Sequence, residues 1–124
     1  MSFALEFHDS EVRDVVADGD VVRVRFSAAC VHGADRERGW LPSVVLTLAR
    51  ATLDGDTAHT VGKLVEGGVR HDGRTATLLA LPGMLAGDIE LALRFANGTQ
   101  LAAHGHTLTL TVADDARFAP DLAC

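Results

Sequence analysis

The chain has 124 residues, of which 48% are hydrophobic and 23% charged, and its 17 acidic and 11 basic residues give a formal net charge of −6. A chain of this length and composition can bury a core as one domain spanning residues 1–124, which argues against disorder. The negative charge is the wrong sign for a protein whose main partner is nucleic acid.

The apolar residues are not arranged for a membrane. No run approaches the roughly 18 apolar residues of a membrane span, and no apolar run follows a basic start as in a signal peptide. Cys30 and Cys124 are the two cysteines, and their spacing fits neither a disulfide framework nor a zinc site. The sequence therefore predicts a soluble, cytoplasmic protein with free thiols and no membrane partner.

Short segments rich in Val, Leu and Thr alternate with Gly, Asp and Asn, which tolerate the backbone of tight turns. The clearest strand pattern runs from Val22 to Cys30, where apolar residues alternate with polar ones. We predict about eight strands, which span residues 3–7, 11–17, 20–31, 43–53, 61–71, 74–81, 88–96 and 99–112.

A series of this kind predicts an all-β fold, either an antiparallel β-sandwich or a β-barrel. An α+β fold with one helix is the alternative, because residues 45–53 also fit a helical apolar stripe behind Pro42. Residues 81–87 are predicted to form a loop with one helical turn. The apolar positions change parity between residues 103 and 108, which predicts a β-bulge at Gly105.

The longest polar stretch, residues 32–42, contains the only tryptophan. A lone Trp among charged residues is typical of a binding anchor, although it can also close the end of a core. Two arginines of the nearby strand could extend such a contact surface or simply face solvent. The predicted ligand- or partner-binding surface consists of Trp40, Arg23, Arg25, Arg36 and Arg38.

Two histidines at alternate positions, His104 and His106, could share a metal ion if a third ligand lay close to both rings. The alternative is a pair of exposed histidines near a strand end. His8, Asp9 and Ser10 cannot form a catalytic triad as neighbours in an extended chain, so they are interpreted as a polar turn.

Cys30 and His32 also stand two residues apart, as a reactive cysteine and its base could. However, Cys30 continues the apolar alternation of its strand, where a thiol is usually an inert small hydrophobe. We therefore interpret Cys30 as unreactive.

Because the catalytic patterns fail on spacing, we favour a non-catalytic module that binds a small ligand or a protein partner and needs no cofactor. Its signature would be an apolar pocket without convergent titratable groups. One alternative is a metal-dependent protein or enzyme that uses His104 and His106. Another is a structural homodimer, because adjacent apolar pairs such as Leu78 and Leu79 predict that part of the outer surface is covered.

Overall fold

A computed structural model describes residues 2–33, 35, 37–55 and 57–120 of the chain. These residues form eleven β-strands and, within the described ranges, no helix. The strands are β1 (Phe3–Asp18), β2 (Val21–His32), β3 (Arg38–Leu41), β4 (Val44–Ala49), β5 (Thr52–Asp54), β6 (Gly62–His71), β7 (Arg74–Ala76), β8 (Leu78–Leu81), β9 (Gly83–Phe95), β10 (Gln100–Val112) and β11 (Ala119–Pro120).

Six strands close into an antiparallel barrel in the order β1, β2, β4, β10, β9 and β6. The ring closes because β1 pairs with β2 along one edge and with β6 at Glu11 and Val12 along the other. Closure pairs the strand edges that an open sheet would expose. The predicted all-β fold is thus confirmed in its barrel form, and the alternative with a helix is wrong.

The five remaining strands extend this barrel. Beyond the segment of β2 that pairs with β4, β3 pairs with the end of β2, and β11 pairs with β3. β8 pairs with the start of β1, β7 with the end of β6, and β5 with β10. The polar stretch of residues 32–42 therefore contains a strand, β3, which extends the barrel wall beside the end of β2.

Inward-facing Val, Leu, Ile and Phe side chains fill the barrel, as the alternation predicted for Val22, Val24 and Phe26. After Phe26 the inward positions of β2 change from even to odd numbers, so that Ala29 and Val31 face the core. The largest fully buried side chains are Phe7, Phe95, Leu5, Leu41, Leu46, Leu48, Leu64, Leu81, Ile89, Leu91, Leu108 and Leu110.

β1 is one continuous strand, so the predicted division into strands 3–7 and 11–17 is wrong. The polar residues between them form a wide bulge, in which four residues, 7–10, lie opposite the single residue Ala29. Asp9 has a φ of 72° there. The Ser10 hydroxyl donates to the Glu6 carbonyl at 2.6 Å and accepts from the Cys30 amide at 2.8 Å. These bonds replace ladder bonds that the bulge removes, so the strand continues.

Two predicted strands are each divided in the structure. The strand predicted at 43–53 is broken at Arg50, which has a φ of 52°, between β4 and β5. The strand predicted at 74–81 becomes β7 and β8, separated by Thr77. A positive φ at a non-glycine residue is hard to predict because the side chain itself disfavours that conformation.

The predicted loop and helical turn at residues 81–87 are wrong, because β9 begins at Gly83. The chain reverses tightly between β8 and β9 around Pro82. A Cβ at position 83 would lie only 2.4 Å from the Ala80 carbonyl oxygen, so the corner requires glycine. The apolar residues that follow Gly83 therefore lie in strand β9 and not in a loop.

The irregularity predicted at Gly105 is present, but the extra residue belongs to the partner strand. Between the pairs Gly105–Ile89 and Thr107–Ala86, two residues of β9, 87 and 88, lie opposite His106 alone. Gly105 is required for close packing, because a Cβ there would lie 2.6 Å from Cγ of Leu48. The change of parity in β10 therefore coincides with the bulge in β9 and with a position, Gly105, where only glycine fits.

Candidate apolar cleft between β8 and β9

An apolar cleft of about 260 Å³ opens between β8 and the first half of β9. β8 pairs with β1, and residues 83–86 of β9 pair with β10. No strand pairing joins β8 to β9 among the described residues, although the corner at Pro82 holds them together at one end. The cleft is thus a gap in the barrel wall.

Leucines line this cleft from the core to the surface. Leu79, Leu108 and Leu110 are buried and form its inner wall. At the surface, Leu78 is 51% exposed and Met84 is 69% exposed. Large apolar side chains at the mouth of a cavity are typical of a ligand- or partner-binding site.

The two ionisable side chains lining the cleft, His71 and Arg74, are both basic. They face each other across the β6–β7 hairpin, whose turn residues Asp72 and Gly73 have φ values of 49° and 85°. The His71 Nε2 donates to the Ala86 carbonyl at 2.7 Å, which fixes the ring against β9. Exposed Arg74 forms no ion pair with any residue that the structure describes.

A separate polar cluster lies on the outer face where β1, β2 and β3 meet. Glu6 Oε2 accepts from the Cys30 thiol at 3.3 Å and contacts His32 Nε2 at 3.0 Å, and Arg38 Nε lies 3.5 Å away. Burial raises the pKa of Glu6, but the hydrogen bonds from Cys30 and His32 and the charges of His32 and Arg38 outweigh burial and lower it overall.

Asp9, presented by the bulge, extends this cluster to β6. Its carboxylate lies 3.1 Å from Lys63 Nζ, 2.9 Å from Arg38 Nη2 and 3.4 Å from His8 Nδ1. The hydrogen bond from Lys63, the charge of His8 and the hydrogen bond from Arg38 lower the pKa of Asp9. The acidic and basic groups pair with one another, so the cluster ties four strands together, β1, β2, β3 and β6.

Cys30 faces this cluster and not the core, because it pairs with Glu6 while the neighbouring pair, Leu5 and Val31, points inward. The expected place of Cys30 on the core face is therefore wrong. Burial and the hydrogen bond to Glu6 raise the pKa of its thiol to about 12. A thiol that stays protonated is a poor nucleophile, which agrees with the interpretation of Cys30 as unreactive.

The structure separates the residues of the predicted binding surface. Arg38 pairs in register with His32 at one end of β2, whereas Arg25 lies seven residues earlier, roughly 20 Å away along a strand. Arg38 lies 5.7 Å from the Trp40 ring centre and is also held by Glu6 and Asp9.

Arg25 forms two hydrogen bonds with Asp14, at 2.6 and 2.5 Å, which lower the pKa of that carboxyl. Arg23 is exposed on the same strand, opposite Val16. Arg36 lies outside the described residues. Trp40 and Arg38 thus form one neighbourhood, Arg23 and Arg25 form another, and the set does not converge on a single surface.

The two histidines of the predicted metal site, His104 and His106, lie close together, with ring centres 5.6 Å apart and nearly perpendicular. His104 Nε2 bonds to the Asp88 carboxylate at 2.5 Å. Among the described residues, no group of three or more His, Cys, Asp or Glu side chains is arranged to hold a metal ion. The metal site stays a prediction without an identified third ligand.

A larger open groove of about 740 Å³ crosses the outer face of β6, β9 and β10. Small residues form its floor, and the charged side chains along its walls form ion pairs with one another. Arg70 Nη1 lies 3.5 Å from Glu90, and Arg94 Nη2 lies 2.9 Å from Glu66. The arginines and glutamates of the groove are therefore already paired with one another.

Searches of protein-family models, curated proteins and solved structures found no match to this chain. None of the described residues forms a helix long and apolar enough to cross a bilayer.

Sequence reasoning missed the cleft because it merged β7 with β8 and assigned the start of β9 to a loop. One signal was present: Leu78 and Leu79 are adjacent, so one of the two had to face outward. It also missed Glu6 and Asp9 as partners of Arg38, and Lys63 as a second partner of Asp9, since the bulge that presents Asp9 depends on long-range pairing.

Proposed function

We propose that this protein is a non-catalytic binding module that takes a small, predominantly apolar ligand into the cleft between β8 and β9. The observation that carries this proposal is the cleft itself, which reaches from exposed Met84 to buried Leu108. Pockets of this composition gain affinity from apolar burial, with roughly 25 cal/mol for each Å² removed from water.

The volume sets the size of ligand. An enclosed apolar cavity of about 150 Å³ binds benzene, so a cleft of about 260 Å³ has room for a longer aliphatic chain or a substituted ring. The lining also lacks a nucleophile paired with a base, which favours binding over catalysis.

A chemical-shift titration with 1-octanol tests this proposal. We expect saturable shifts confined to backbone amides of residues 78–80, 83–85 and 108–110. Ala80→Trp should abolish them, because exposed Ala80 lines the cleft and an indole there would fill its mouth.

Ala17→Trp is the matched control, since Ala17 is also an exposed strand alanine but lies at the far end of β1. It should bind octanol as the unmodified protein does. Shifts spread evenly over the surface, or equal binding by Ala80→Trp, would overturn the proposed function.

A further inference from the structure

We infer that the ligand of the cleft is an anionic amphiphile, a carboxylate on a short aliphatic chain, whose charged group binds Arg74 beside His71. This inference rests on the proposed function, because it assigns the head group of a ligand whose apolar part occupies the cleft.

The mouth is basic on a molecule that is acidic overall. The protein has a formal net charge of −6, yet the ionisable side chains that line the cleft are His71 and Arg74. Asp72, the nearest acid of the same hairpin, does not line the cleft. Its Oδ1 accepts the Asp88 amide at 2.9 Å, and its Oδ2 lies 3.4 Å from His71 Nε2.

Arg74 is available for a ligand. Arg74 has no ion-pair partner among the described residues, in contrast to Arg25, Arg70 and Arg94. A guanidinium offers two parallel N–H groups that match a carboxylate.

His71 anchors the hairpin against β9 but does not itself supply a second donor to a carboxylate. Its Nε2 carries the proton donated to the Ala86 carbonyl, and its Nδ1 has no partner within the described part of the chain. The hairpin therefore holds a cation and an imidazole side by side at the rim of an apolar cavity.

The leucine-lined cavity and the basic rim together indicate the chemistry of the ligand. Buried leucines bind an aliphatic chain, while the rim binds a negative group that stays near water. A carboxylate fits the rim better than a neutral alcohol because only the carboxylate gains charge-assisted hydrogen bonds from Arg74. A cationic head would instead be repelled.

Calorimetry with octanoate and 1-octanol, two ligands that share their chain and differ in their head, tests this inference. We expect the unmodified protein to bind octanoate at least tenfold more tightly than octanol. Arg74→Gln should remove that preference while octanol affinity stays within about twofold, because the apolar wall is unchanged.

Arg13→Gln serves as the matched control. Arg13 is an exposed strand arginine on β1, so its loss changes the net charge equally without touching the cleft. It should retain the octanoate preference. Arg74→Lys, which keeps the charge but not the paired N–H groups, should retain part of it.

The outcomes separate the two proposals. Equal affinities for octanoate and octanol would overturn the anionic ligand and leave the apolar binding module standing. A preference that survives Arg74→Gln would overturn the role of Arg74. If neither ligand binds at millimolar concentration, both the proposed function and this inference fail.

Discussion

At the scale of single residues, Glu6 and Asp9 link stability to pH. The pKa of each carboxyl is lowered in the folded protein by the contacts of the cluster. A carboxyl with a lowered folded-state pKa stabilises the fold above its unfolded pKa, and this stabilisation is lost as the pH falls through the folded value. Stability should therefore decline as the pH falls below about 5.

Glu6→Gln should weaken this pH dependence and lower the free energy of unfolding at pH 7 by about 1–2 kcal/mol, since Arg38 and His32 lose a charged partner. Urea unfolding from about pH 6 to pH 3 measures both effects. Asp115→Asn, at an exposed position outside the strands, should reproduce the unmodified curve. An unchanged slope in Glu6→Gln would show that Glu6 does not carry the linkage.

The Cys30 thiol should resist alkylation. With a pKa of about 12, only about one thiol in ten thousand is ionised at pH 8, and the side chain is fully buried. Iodoacetamide labelling followed by peptide mass spectrometry should find Cys30 unmodified in the folded protein and rapidly modified in urea. Fast native labelling would contradict the bonded, buried thiol.

Residue chemistry was only partly predictable from sequence. The sequence predicted an unreactive Cys30 from an apolar alternation that Cys30 does not follow. Its thiol is instead held by burial and by Glu6, which is 24 residues away and reaches it only through β1–β2 pairing. Arg38 was singled out for ligand binding on composition alone. Its actual partners depend on a bulge whose geometry no local pattern encodes.

At the scale of elements, a close contact between strands explains a glycine inside β6. Gly67 lies inside β6, where an added Cβ would come within 2.8 Å of Phe7 Cβ and 3.1 Å of Leu93 Cδ2. The predicted strand 61–71 includes Gly67, but the sequence does not show why glycine is needed there. That reason requires knowing that Phe7 packs against this strand.

Gly67→Ala should therefore cost about 1–3 kcal/mol in the free energy of unfolding, as overpacking of a core does. Gly33→Ala is the matched control, because the nearest atom to its new Cβ, the Glu37 carbonyl oxygen, would lie at an ordinary 3.7 Å. Chemical denaturation should show a change below about 0.5 kcal/mol for this control. Equal effects of the two substitutions would refute the contact between β6 and Phe7.

At the scale of the whole molecule, closure of the barrel should make some strands more resistant to local unfolding than others. The six barrel strands pair on both sides over part of their lengths, whereas β7, β8 and β11 each pair with one strand. Native hydrogen exchange should therefore find the slowest amides in β2, β4, β9 and β10 and the fastest strand amides in β7 and β11. Equal protection of β11 and β4 would contradict this arrangement.

The sequence predicted the all-β class because two-residue alternation is a local property. It could not choose between sandwich and barrel, since closure depends on the pairing of Glu11 with Lys63, more than fifty residues apart. The cleft could not be predicted for the same reason, because it exists only where β8 replaces β6 beside the start of β1. Whether two copies associate through an outer face stays a prediction.

The most direct test of the central claim is a set of intermolecular NOEs between octanoate and methyl-labelled protein. The account predicts contacts from the chain methylenes to the methyl groups of Leu79, Leu85 and Leu108, which line the cleft. Contacts to the outer groove near Ala92 and Ala102, or none to these leucines at saturation, would contradict it.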